Sequence, residues 1–186
     1  MYRLIYWNKI NDETNEVKRS LNREQNDCDD FIITQVKKFS TEDRKSLQKT
    51  FNLFEKDLAS IGLRIFLETL SENPEYKFFW PQFRAIPDSS LISSVVLRNF
   101  ARTYMNALKK IVESLSKNEV PHEVLQRIAM KHARHNIQMF HIEKMIKPLL
   151  GNVRRALGQR DERVEETWKK LFRTIGTIID YYKTHS

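Results

Sequence analysis

Glycine and cysteine are both scarce in this chain of 186 residues, which has four glycines and one cysteine. The low glycine content, the lack of alternating β-branched runs and the many Leu, Lys, Glu and Arg residues favour an all-helical fold. A single cysteine, Cys28, excludes a disulfide within the chain. We therefore expect an all-α protein that is stabilised by its apolar core and not by covalent cross-links.

Other features that the chain lacks narrow its class of function. No apolar stretch approaches the roughly 20 residues that span a bilayer, and the N-terminus does not read as a secretory signal, so we expect a cytoplasmic protein. There is no glycine-rich phosphate loop, no Cys/His zinc spacing and no Ser or Cys nucleophile beside an obvious base. These absences predict that the protein is not an enzyme.

The net charge of +8 is distributed unevenly along the chain. Residues 1–39 contain seven basic and seven acidic residues, so the whole excess lies in residues 40–186. A basic domain could bind nucleic acid. However, the one dense cluster, formed by Arg154, Arg155, Arg160 and Arg163, is interrupted by acidic residues and is typical of a solvated helix end. We expect no nucleic-acid partner.

The composition divides the chain into an N-terminal extension, residues 1–39, and a helical domain, residues 40–186. The domain begins at Ser40 or Thr41, a helix cap followed by Glu42 and Asp43. Three prolines, Pro74, Pro81 and Pro87, then predict a corner built from short turns. We predict longer helices over residues 42–54, 58–71, 89–115, 121–132, 140–157 and 162–182, with Pro148 bending the fifth and Gly158 ending it.

His132 carries the first functional signal. At helical spacing it lies on the same face as Leu125, Ile128 and Ala129, at the end of an apolar stripe. A buried imidazole needs a hydrogen-bond partner or a metal, because an unpaired polar ring in an apolar site is unfavourable. Most such histidines are hydrogen-bonded core residues, so His132 alone leaves both interpretations open.

The surrounding sequence resembles the globin family over about residues 40–183. An aromatic corner, Phe78–Phe83, and a histidine that closes a short helix, Lys131–Ile137, are similar to the globin haem-clasping corner and proximal segment. The order and spacing of five strings carry the resemblance, namely Ile65–Leu70 with Asn73–Glu75, Phe78–Phe83, Phe100–Leu108, Lys131–Ile137 and His141–Ile142. The corner and the Phe100–Leu108 string look most like invertebrate globins, nematode ones in particular.

The resemblance implies that the cofactor is haem, iron protoporphyrin IX, and that His132 is the proximal ligand of its iron. It also implies that O2 or another diatomic gas is the ligand of the pocket. The residues expected to contact the haem are Phe66, Phe79, Trp80, Phe83, Phe100, Tyr104, Leu125, Ile128, Ile137 and Ile142.

The chain departs from the usual globin pattern on the distal side. Phe100 stands where oxygen carriers usually have His or Gln, and Tyr104 stands four residues on, where a small aliphatic residue is usual. The first histidine of the chain is His122, so the distal helix offers no second histidine ligand. Trp80, or Phe79 if the turn shifts by one residue, takes the corner position. The only hydrogen-bond donor that this alignment leaves to the distal pocket is the Tyr104 hydroxyl.

Two functional hypotheses follow. The first is a haem-binding globin whose apolar distal pocket suits gas binding, gas or redox sensing, or electron transfer more than bulk oxygen transport. The alternative is a haem-free globin-fold module for sensing or protein interaction, in which Phe66, Trp80, Phe100 and Tyr104 fill the pocket. A cavity of ligand size would favour the first, and a closed pocket would favour the second.

Overall fold

The computed structural model describes residues 26–185, which form helices joined by short turns and contain no strand. Residues 26–36 are helical and are called α1 here. The helices that follow are α2 (Thr41–Asn52), α3 (Leu58–Glu72), α4 (Pro81–Arg84), α5 (Val95–Ser116), α6 (His122–Arg134), α7 (Met139–Lys144), α8 (Ile146–Leu157) and α9 (Glu162–His185). The predicted all-α fold class is confirmed.

The helix ends follow the signals in the sequence. Ser40 caps α2, and its side chain and that of Asp43 each accept a hydrogen bond from the other's backbone N–H. Gly158 ends α8 with a φ of 72°, a left-handed conformation that glycine adopts without steric cost. The three prolines produce the predicted corner, which contains short 3-10 turns at Pro74–Phe79 and Asp88–Ser90 on either side of α4.

Two predicted helices have different bounds. α5 begins at Val95 and not near residue 89, because the Ser94 side chain accepts a hydrogen bond from the Leu97 N–H and caps the helix there. The helix predicted over residues 140–157 is two helices that meet at Met145. Pro148 explains the break, since it has no N–H to donate to Lys144, the last residue of α7.

A close crossing of α3 and α5 shapes the interior. A Cβ atom on Gly62 would lie 2.8 Å from the backbone oxygen of Ala101, so only glycine allows the two backbones to approach this closely. α9 packs against α2, α6, α7 and α8 and supplies the fully buried Trp168. This arrangement leaves α5 and α6 facing each other across the predicted site.

The N-terminal extension packs on the helical domain wherever the structure describes it. Ile32 and Val36 of α1 belong to the same apolar core as α2 and α9. The Arg44 guanidinium donates to the carbonyl oxygens of Val36, Phe39 and Leu115, at distances of 3.2, 3.1 and 3.0 Å. Residues 1–25 lie outside the described part of the chain, and the domain boundary at residue 39 stays a prediction.

Candidate functional site

An apolar cavity of about 420 Å³ lies between α3, the proline corner, α5, α6 and α7. Ten of the eleven residues predicted for the site line this cavity, although the sequence places them on separate elements. They are Phe66, Phe79, Trp80, Phe83, Phe100, Tyr104, Ile128, His132, Ile137 and Ile142. The exception is Leu125, which is buried in the core beside the cavity wall and does not line it.

His132 lies in the last turn of α6 and faces the cavity with its ring half-buried. Its Nδ1 is 2.8 Å from the backbone oxygen of Ile128, one turn earlier. Because a carbonyl oxygen only accepts, Nδ1 carries the proton and Nε2 keeps its lone pair. Burial lowers the pKa of His132, which favours the neutral ring. Among residues 26–185, Nε2 has no hydrogen-bond partner, so it is a nitrogen that can ligate a metal.

Trp80 closes one end of the cavity by touching both of its long walls. Its ring centroid lies 5.5 Å from that of His132 on α6 and 5.0 Å from that of Phe100 on α5. The buried side chain of Lys77 braces this corner, since its Nζ donates to the Ile86 carbonyl and to Asp88 at 2.6 Å each. Phe79 also lines the cavity, so both candidates for the corner position contribute to the site.

The wall opposite His132 is aromatic. Phe66 packs edge to face on Phe100 and on Tyr104, with centroid distances of 5.1 and 5.2 Å. The Tyr104 hydroxyl is buried and has no hydrogen-bond partner within residues 26–185. Burial raises the pKa of Tyr104, so the group remains a neutral O–H that can donate. An unpaired buried hydroxyl is unfavourable by about 1–3 kcal/mol unless a ligand accepts from it.

The segment after α6 completes the near side of the cavity. Asn136, at a φ of 57°, turns the chain so that the Ile137 N–H donates to the His132 carbonyl at 3.0 Å. His141 follows at the start of α7, where its Nδ1 accepts a hydrogen bond from the Gln138 N–H at 3.0 Å. Its ring packs on Phe79 at 4.7 Å and lines the cavity. Burial lowers the pKa of His141 too, so the site contains two neutral imidazoles.

A comparison with protein families shows which family this chain belongs to. The globin family model matches residues 63–179, which is more than half of the chain. This chain belongs to the globin family. It is also similar to cytoglobin-1 of Oryzias latipes, with 26% identity over 141 residues that cover 75% of this chain and 76% of the relative.

Several residues of this globin's cavity were missed by the sequence prediction. The apolar ones are Leu70, Ala107, Leu108, Ile111, Val124, Met145, Phe172 and Ile175, and the basic ones are Lys110, Arg127 and Lys131. Phe172 and Ile175 lie on the buried face of α9, and only the packing of that helix beneath the cavity shows that they also line it. Lys110 and Lys131 are exposed, and only the packing of α5 and α6 around the cavity brings them to its edge.

Arg84 follows the aromatic corner but is not part of the site, since it donates to the Phe78 carbonyl at 3.0 Å and does not line the cavity. Within the described residues, no group of three or more His, Cys, Asp or Glu side chains could hold a metal ion. In the same part of the chain, no helix is long and apolar enough to cross a membrane.

Proposed function

We propose that this globin binds haem and that His132 ligates the haem iron through Nε2. The observation that carries the proposal is the hydrogen bond from His132 Nδ1–H to the Ile128 carbonyl, which leaves Nε2 deprotonated beside an apolar cavity. A second-sphere hydrogen bond of this kind orients a ligating imidazole and increases its basicity. When bound, haem supplies an iron centre that binds diatomic gases and exchanges electrons.

The size and lining of the cavity support binding of an apolar planar cofactor and not the alternative, in which side chains close the pocket. Its volume of about 420 Å³ falls within the range of roughly 300–1,000 Å³ that is typical of ligand sites. Phe66, Phe100 and Trp80 form its aromatic walls without filling it. No observation therefore favours the haem-free module, in which these side chains would occupy the space.

The Tyr104 hydroxyl is the group of the distal wall that would favour a polar gas over an apolar one. Its hydroxyl would donate a hydrogen bond to a polar diatomic ligand such as O2, and Phe100 and Phe66 offer no competing donor. A hydrogen bond to a charge-bearing acceptor is worth roughly 1.5–3 kcal/mol, or about ten- to a hundredfold in affinity. We propose gas binding in a sensing or electron-transfer role, because the rest of the distal wall is apolar and does not resemble that of a bulk oxygen carrier.

Three finer assignments stay predictions alongside this proposal. They are a nematode-like position within the family, a cytoplasmic location, and a binding rather than catalytic role without a nucleic-acid partner. The aromatic corner from Trp80 to Phe83 supports the first. Leu125 stays a predicted haem contact, although it does not line the cavity.

The test is the absorption spectrum of the haem-reconstituted full chain before and after His132→Ala. We expect the substitution to remove the spectrum of imidazole-ligated haem and to accelerate haem transfer to an acceptor protein. His135→Ala is the matched control, since His135 belongs to the same segment and packs on Trp80 at 4.5 Å without lining the cavity. An unchanged Soret band and unchanged haem retention in His132→Ala would exclude His132 as the ligand. Failure of the wild type to bind haem would instead point to the haem-free module.

A further inference from the structure

An open groove of about 460 Å³ lies on the surface between α1 and α9. The two helices run antiparallel along it. Phe31 of α1 stacks on Tyr181 of α9 with a centroid distance of 3.9 Å, and beyond the end of α1 the Lys38 carbonyl accepts a hydrogen bond from the Lys170 side chain at 2.7 Å. Gln35 lies between these two contacts, so it faces the middle of this stretch of α9 across the groove.

The groove and the apolar cavity share no lining residue in the described part of the chain. They lie on different sides of α9, because successive residues of a helix point about 100° apart. Phe172 and Ile175 line the cavity, whereas Arg173 and Thr174 between them line the groove. A ligand of the groove would therefore bind whether or not the cavity contains haem.

The floor of the groove contains two polar side chains that lack partners. Gln35 and Thr174 are 7% and 8% exposed, so each is more than nine-tenths buried. The Lys38 Nζ donates to Gln35 Oε1 at 2.6 Å, which leaves the side-chain N–H groups on Nε2 facing the groove. Within residues 26–185, neither these N–H groups nor the Thr174 hydroxyl has a hydrogen-bond partner. Buried polar groups are normally paired, so the floor lacks a ligand that accepts hydrogen bonds.

The edges of the groove are positively charged. Lys38 and Arg173 are both exposed there, and Lys38 forms no ion pair with any described residue. The Arg173 Nε lies 3.5 Å from a carboxylate oxygen of Glu143, a contact between two exposed side chains that contributes little. Arg163, farther along α9, is also exposed and without an ion pair in the described part of the chain.

Two carboxylates line the groove as well, but both already have partners. The Asp43 carboxylate accepts from Lys170 at 2.7 Å, and the Glu166 carboxylate accepts from Lys169 at 2.6 Å. They therefore do not neutralise the cations at the edges. The groove combines uncompensated positive charge with unpaired donors, which is the chemistry of an anion site.

We propose that this groove binds a phosphate group, which accepts hydrogen bonds from Gln35 Nε2 and Thr174 Oγ1 and is balanced by Lys38 and Arg173. A phosphate group carries about two negative charges and three strong acceptor oxygens at neutral pH. It matches two cations and two donor groups better than a carboxylate does, since a carboxylate has one charge and two oxygens. Two sources have this chemistry, namely a free phosphate compound and the head group of a phosphoinositide lipid.

The experiment measures two kinds of binding by the full chain. Calorimetry gives its affinity for pyrophosphate and for citrate, a carboxylate ion of similar charge. Co-sedimentation with phosphatidylcholine vesicles, with and without phosphatidylinositol bisphosphate, gives its affinity for the lipid head group. The charge variant is Lys38→Gln, Arg173→Gln, and its matched control is Lys45→Gln, Arg98→Gln. All four side chains are exposed, and the control pair does not line the groove.

A second variant, Thr174→Val, tests the floor of the groove. It keeps the shape of the side chain and removes only the unpaired hydroxyl. Thr184→Val is the matched control on the same helix, because the Thr184 hydroxyl donates to the Tyr181 carbonyl at 3.0 Å and lies outside the groove. General attraction of anions to a basic surface would not depend on an uncharged hydroxyl, so this pair distinguishes a formed site from surface charge.

We expect the charge variant and Thr174→Val each to lose about tenfold in affinity for pyrophosphate, and citrate to bind the wild type about tenfold more weakly. Retention on phosphoinositide vesicles that both variants lose would identify the lipid head group as the source, and binding of pyrophosphate alone would identify a free phosphate compound. The proposal is overturned if the wild type binds neither, if citrate binds as tightly, if Thr174→Val binds unchanged, or if the controls lose as much. Haem binding is measured separately, so either proposal can fail without the other.

Discussion

Two clusters of three packed aromatic rings differ in their surroundings. The first lies between α2 and α9 and consists of Phe51, Phe54 and Trp168. The second lies between α3 and α5 and consists of Phe66, Phe100 and Tyr104. In the first, centroids lie 5.9 to 6.5 Å apart, every ring is fully buried, and Trp168 Nε1 donates to the Thr50 hydroxyl at 2.9 Å. The second is packed at least as closely, yet it borders a cavity and leaves the Tyr104 hydroxyl unpaired within residues 26–185.

The difference separates an aromatic cluster that stabilises the fold from one that prepares a site. Stability alone favours full burial and pairing of every polar atom, because voids and unpaired groups are both unfavourable. The cluster at α2 and α9 satisfies both conditions. The cluster at α3 and α5 satisfies neither, and under the proposed function this incomplete packing makes room for a ligand and leaves a donor for it.

The largest difference between the clusters should appear on truncation of a ring. Trp168→Ala should lower the free energy of unfolding by about 3–5 kcal/mol, because it removes a fully buried ring and its hydrogen bond. Phe100→Ala should lower it less, because the Phe100 ring is half-buried and already borders a cavity. Urea denaturation of both variants measures the contrast, and equal losses would contradict the distinction drawn here.

An intermediate loss of stability is expected when a buried polar group of the first cluster is left without its hydrogen-bond partner, as in the second cluster. Thr50→Val leaves the Trp168 N–H without its acceptor and should lower the free energy of unfolding by about 1–3 kcal/mol. Thr69→Val is the control, since Thr69 is equally buried but its hydroxyl donates only to the Ile65 carbonyl within its own helix. A loss as large in the control would show that the tryptophan bond is not the cause.

The smallest effect on the free energy of unfolding should be a stabilisation. Tyr104→Phe removes an unpaired buried hydroxyl, so it should stabilise the haem-free protein by about 1 kcal/mol. The same change should lower the O2 affinity of the haem-loaded protein, which calorimetry and O2 titration would measure separately. Tyr76→Phe is the control, because Tyr76 lines the same cavity but its hydroxyl is not an unpaired buried group. Destabilisation by Tyr104→Phe would mean that the hydroxyl has a structural partner.

Much of the site was predictable because the signals are local. His132 ends an apolar stripe at helical spacing, and the prolines around Trp80 predict a corner. Both residues could therefore be placed on their elements from the sequence. The first residue of α5 could not be predicted from the sequence. Both Ser89 and Ser94 can cap a helix, and only the bond from the Leu97 N–H shows which one does.

The residues that the prediction missed are those whose role depends on a neighbouring helix. Phe172 looks like any core residue of an amphipathic helix, and Lys110 looks like any residue of a solvated face. Their contact with the cavity arises from the way α9 passes beneath it and α6 folds back beside α5. Spacing along one helix contains no information about either arrangement.

By itself, the sequence determined the helical class, a helix cap at Ser40 or Thr41 and the stop at Gly158, because periodicity, capping and residue chemistry act within a few residues. The tertiary structure alone decided that the aromatic side chains enclose a cavity instead of filling it. It also decided that the Tyr104 hydroxyl has no partner among the described residues. These properties depend on the distances between helices, which are set by packing across the whole core.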